Sequence, residues 1–128
     1  MKQADTVSIL VPRKAEYVSV VRLTASGIAS RMGFDIDDIE DIKVSISEVL
    51  NRLLEKGVSS DNIRIDFHLS GNTVKIDFIM PDSSIQGIFG DEEEDFAFGI
   101  IRSLMDEVNL NADEHVVVSM TKKLERAV

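Results

Sequence analysis

The sequence predicts a two-layer α/β (α+β) sandwich in which an antiparallel-rich mixed sheet is covered on one face by about three helices. Three observations predict it. Two long segments repeat their apolar residues with helical period, and two stretches alternate apolar with polar residues on either side of Gly71-Asn72. A third helical segment then leads into a second hairpin pattern. The order β-α-α-β-β-loop-α-β-β lets one layer of helices bury one face of an antiparallel sheet.

Residues 6–12 (TVSILVP) are apolar, β-branched and closed by Pro12, which reads as a first strand at a sheet edge. Over residues 13–32, Val18, Val21, Ala25, Ile28, Ala29 and Met32 recur at helical spacing, and Gly33 follows as a stop signal. Asp35 can cap the next helix, with Asp37 and Asp38 in the first turn, where the helix dipole favours negative charge. Its stripe is Ile39, Ile42, Ile46, Val49, Leu50 and Leu53, and Gly57 closes it. Ile63, Ile65, Phe67 and Leu69, then Val74, Ile76 and Phe78, form the hairpin.

Residues 81–95 read as a loop, opened by Pro81, Asp82, Ser83 and Ser84, interrupted by Gly87 and Gly90, and closed by the acidic run 91–95. Ala97, Ile100, Ile101, Leu104 and Met105 then share one helical face. Residues 108–110 and 115–124 pair around a turn at 111–114.

At 128 residues and 44% hydrophobic content, one domain spanning residues 1–128 is expected, with no internal repeat or linker. Without cysteine there is neither a disulfide framework nor a thiolate metal site. A cytoplasmic location is the default expectation, because no apolar run resembles a signal peptide or a membrane span. A formal charge of −9 opposes attraction to nucleic acid or anionic membrane, and suits partners that carry basic patches.

Catalytic patterns of other classes are missing. His68 falls on the polar side of a strand and His115 in a turn, so both read as solvated, and no HExxH spacing accompanies them. No Gly-x-Ser-x-Gly elbow surrounds any serine. The run 91–95 lacks the alternation and glycine of a calcium loop and reads as a solvated segment that favours the following helix dipole.

Residues 43–57 (KVSISEVLNRLLEKG) and 98–108 (FGIIRSLMDEV) carry more than amphipathic periodicity. They resemble the RsbW-type anti-sigma factors of the GHKL (Bergerat-fold) ATPases. In that family the second helix bears Ser-Glu-x-x-x-Asn-x-x-x-His-Gly, and a later helix ends in Met-Asp-Asp/Glu-Val. The element order is similar too, so the resemblance spans nearly the whole chain and implies a Bergerat-type fold.

The resemblance implies that Glu48 matches the general base for serine phosphorylation. At the position of the family's magnesium-binding asparagine stands Arg52, and Lys56 stands where a histidine is common. Asn51 lies one residue early, turned by about 100° from that position. A guanidinium offers only donors and a fixed positive charge, whereas magnesium needs oxygen ligands. The first reading of Arg52 is an ion pair with Glu48 at i, i+4, worth about 0.3 kcal/mol. The other is a grip on a phosphate or on a partner's carboxylate.

The family's Asp-x-Gly-x-Gly adenine loop aligns with Met80-Pro81-Asp82-Ser83-Ser84, where Asp82 is either a displaced adenine reader or a plain loop aspartate. No glycine lies beside it to let backbone approach a nucleotide. A third Gly-x-Gly turn is replaced by Asp95-Phe96-Ala97, and the acidic run opposes phosphate at the helix N-terminus.

The leading expectation is thus an anti-sigma-like regulator that acts by protein binding in a bacterial partner-switching pathway, with ATP binding lost or weakened and no cofactor. The resemblance implies a sigma factor and a STAS-domain antagonist as partners, and a homodimer as the usual assembly. The alternative is an ATP-dependent serine-protein kinase with Glu48 as base and magnesium held by Asn51 or Asp82. A structural subunit without switch partners is the third reading.

Overall fold

The computed structural model describes residues 4–55, 62–80, 92–110 and 115–124. The strands are β1 (Asp5–Pro12), β2 (Asn62–Ser70), β3 (Thr73–Ile79), β4 (Glu107–Leu110) and β5 (Val116–Lys123). They form one sheet of order β1-β2-β3-β5-β4. All four pairings are antiparallel, so the expected admixture of parallel strands is absent among the described residues. The sequence order explains this: β2 to β3 and β4 to β5 are hairpin neighbours, and the path through β4 brings β5 back against β3 in the opposite sense.

The hairpin turn is Gly71-Asn72, with Gly71 at φ +62, a backbone that glycine adopts without strain. Counted outward from that turn, Phe67 meets Ile76 and Ile65 meets Phe78 on one face, while Asp66 meets Asp77 on the other. A bulge between Phe78 and Ile79 shifts the β3–β5 register beyond it.

Three α-helices accompany the sheet: α1 (Val18–Met32), α2 (Ile36–Glu55) and α3 (Glu92–Leu104). The helix expected from residue 13 begins later, because Lys14 is extended and Ala15–Tyr17 form a single 3₁₀ turn ahead of α1. Gly33 ends α1 at φ +100, and the N–H of Phe34 donates back to the Ala29 carbonyl at 3.1 Å. Asp35 caps α2 as its spacing implied, its Oδ1 accepting from the Asp38 N–H at 2.8 Å. Helix α3 starts at Glu92, earlier than the loop expected through residue 95, in keeping with the preference of acidic residues for a helix N-terminus. Residues 56–61, 81–91 and 111–114, including Gly57 and the expected loops, lie outside the described residues.

Val21, Ala25 and Ala29 of α1, and Ile42, Ile46, Val49, Leu50 and Leu53 of α2, pack with Ile63, Ile65, Phe67, Ile76, Phe78, Val118 and Met120 in one buried cluster. Each such large side chain contributes about 1.5–3 kcal/mol on burial. Alanine at two buried positions of α1, Ala25 and Ala29, lets that helix lie close to its neighbours, and the stripe predicted for α2 is the one that is buried apart from the half-buried Ile39. No described helix is long and apolar enough to cross a membrane.

Candidate functional site

The residues singled out by sequence lie in the second half of α2. Buried Val49, Leu50 and Leu53 anchor this part of the helix on the core. Glu48 and Arg52, one turn apart, are half-buried beside that stripe, and Asn51 is exposed. Among the described residues no hydrogen bond or ion pair reaches the Glu48 carboxylate.

Arg52 does not turn back to Glu48 as the i, i+4 spacing led one to expect. Its Nη1 donates to Oε2 of Glu55 at 3.0 Å, the i, i+3 neighbour. Residues three apart are also helix-surface neighbours, and Glu55 is 64% exposed, so its carboxylate keeps most of its hydration in the pair. Only 14% of the Arg52 side chain is exposed, so a cation is held against the protein one turn from Glu48.

Arg52 itself cannot act as a magnesium ligand. The guanidinium has no lone pair to give, and Asn51, one residue earlier, is exposed. Asp82 and Lys56 lie outside the described residues, so neither adds a described contact. In α3, Phe96 is 75% exposed and Ala97 is buried, while Gly99 is within the helix and exposed.

Two polar constellations had no signal in the sequence reading. The first surrounds Lys122 of β5, whose side chain is 12% exposed. Its ammonium donates to the Leu104 carbonyl at the end of α3 and lies 3.8 Å from Asp38 and 3.7 Å from Asp41 of α2. Burial first, and the nearby Asp35 charge second, push the Asp38 carboxyl above its ordinary value, while Lys122 acts in the opposite direction. Beside it the Lys123 N–H donates to Asp106 at 2.6 Å. A groove of about 230 Å³ is lined by Asp38, Asp106, Lys122 and Lys123.

The second constellation corrects the reading of His68 as a solvated histidine. Its Nδ1 lies 3.1 Å from the Thr6 hydroxyl on β1, and its Nε2 3.2 Å from Asp77 on β3. Both partners follow from register, since His68 faces Thr6 across β1–β2 while Asp77 sits one diagonal away on β3. Counting outward from Gly71-Asn72 would have found the diagonal. His115 is exposed, and its carbonyl accepts from Met80.

A five-stranded antiparallel sheet, one helical layer and an acid midway along the longest helix define the class: a two-layer domain of the Bergerat type. Comparison with known proteins agrees. A model of the histidine kinase-like ATPase domain matches residues 11–122. Serine-protein kinases RsbW of Bacillus thuringiensis (strain Al Hakam) and Bacillus cereus (strain AH820) are each 31% identical over 143 aligned positions, covering 98% of this chain and 89% of theirs. A crystal structure of the RsbU and RsbW domains of a Mycobacterium tuberculosis protein superposes with a TM-score of 0.74 at 20% identity, over 96% of this chain and 33% of that one. The chain therefore belongs to the histidine kinase-like ATPase domain family, among its RsbW-like members.

Proposed function

We propose that this chain is an anti-sigma-type regulator that works by binding proteins in a bacterial partner-switching pathway, with nucleotide use lost or weakened relative to its kinase relatives. The observation that carries the reading is Arg52: a half-buried guanidinium, tied to Glu55, occupies the helical position where the resemblance calls for a magnesium ligand. The competing partners in this reading are a sigma factor and a STAS-domain antagonist, and the relatives' name, serine-protein kinase RsbW, supports the choice of pathway.

A second reading rests on Glu48, which is half-buried and lacks a bonding partner among the described residues, as a poised general base would be. On it the chain phosphorylates a serine of its antagonist. The test mixes the purified chain with each sigma factor and each STAS-domain protein of its host, and follows complexes by light scattering. Binding without nucleotide, and no mass increase of the STAS protein after incubation with ATP and magnesium, is the expected result. Phosphate transfer would establish the second reading, and failure to bind any of these proteins under either condition would overturn both.

A further inference from the structure

The helices pack on one face of the sheet, and the other face carries a polar pattern that the α2 site does not use. Five residues are paired directly across all five strands: Ser8 with Asp66, Asp66 with Asp77, Asp77 with Ser119, and Ser119 with Asn109. All have short side chains. Longer ones flank them, Leu10, Arg64 and Ile79 on one side and His68 and Lys75 on the other. The row is therefore the floor of a shallow trough, open at Ser8 and Asn109, which are exposed.

Two carboxylates directly opposite one another in the middle of a sheet repel, and sheets avoid the arrangement. Here both aspartates are only 8% exposed. Asp77 Oδ2 meets His68 Nε2 at 3.2 Å, and its Oδ1 is buried with no hydrogen-bond partner among the described residues. Asp66 Oδ2 accepts from Arg64 Nη2 at 3.4 Å, while its Oδ1 lies 3.3 Å from Arg64 Nε without an aligned hydrogen bond among the described residues. Each acid thus pairs with a half-exposed neighbour through Oδ2 and keeps a buried Oδ1 with no aligned donor among the described residues. The walls can yield, since 47% of the Arg64 side chain and 37% of His68 are exposed.

The geometry points to this trough as a docking surface for a partner protein that inserts an arginine side chain between Asp66 and Asp77. A planar guanidinium supplies paired donors for two carboxylates. A second copy of this chain is the poorer occupant, because two chains of formal charge −9 repel. The surface is independent of the α2 reading: it survives if nucleotide binding is found, and the reverse holds.

Titrating the ¹⁵N-labelled full chain with triarginine amide, and with triglutamate as control, tests it. Amide shifts should gather on Ser8, Asp66, Asp77 and Ser119. Asp77→Asn should weaken binding about tenfold or more. Ser8→Arg, at an exposed position, should block the trough with a resident guanidinium and serves if the first variant does not fold. His68→Ala, which removes a wall, should leave affinity equal or tighter. Shifts confined to the acidic first turn of α2 would overturn the proposal. So would unchanged affinity in both Asp77→Asn and Ser8→Arg, or sedimentation showing this face buried between two copies.

Discussion

Arg52 bonds forward to Glu55 at 3.0 Å and leaves Glu48, one turn behind it, without a bonding partner among the described residues. Glu55, the acid paired with this cation among the described residues, is mostly exposed. Such a surface pair contributes below about 0.5 kcal/mol. Glu55→Ala should shift the urea midpoint hardly at all. A loss above about 1 kcal/mol would show that Arg52 is a structural strut.

Lys122 is the opposite case, a nearly buried ammonium joining the end of α3 to the start of α2. Lys122→Met keeps the aliphatic stem while leaving the Leu104 carbonyl unbonded and Asp38 and Asp41 uncompensated. It should cost about 1–3 kcal/mol in urea unfolding, and amide exchange should speed first at the end of α3.

Asp38 sets a pH dependence. Its folded-state pKa lies above the ordinary 3.8, so the folded state binds its proton more tightly than the unfolded state does. The stability it lends is full below 3.8 and is lost as pH rises through the folded value. The difference in unfolding free energy between the wild type and Asp38→Asn should therefore fall from acid to neutral pH. A difference that is constant or rises would contradict the assignment.

Ser45 is fully buried in α2, and its hydroxyl has no hydrogen-bond partner among the described residues. Ser45→Ala removes an unsatisfied group and improves helix propensity. It should raise stability by about 1 kcal/mol by denaturant unfolding.

The architecture was legible where one periodicity dominates. The α2 stripe, the Asp35 cap, the Gly33 stop and the Gly71-Asn72 turn each follow from local rules, and each is found in the structure. Boundaries failed where local signals compete, as when Lys14 stays extended ahead of α1 and acidic residues begin α3 rather than end a loop. In the candidate site, motif spacing located Glu48 and Arg52, but spacing alone could not choose between two helix-surface neighbours for the guanidinium. The Lys122 cluster depends on contacts between distant segments, which only packing creates, whereas the His68–Asp77 and Asp66–Asp77 pairings follow from counting outward along the hairpin from Gly71-Asn72.

The account turns on whether a fixed cation on α2 excludes metal-bound nucleotide. Calorimetry and melting with ATP and magnesium decide it, because a ligand at about 100 times its dissociation constant adds about 2.7 kcal/mol of stability. The wild type should show neither heat nor a rise in Tm. A saturable rise in the wild type that depends on magnesium would contradict the account.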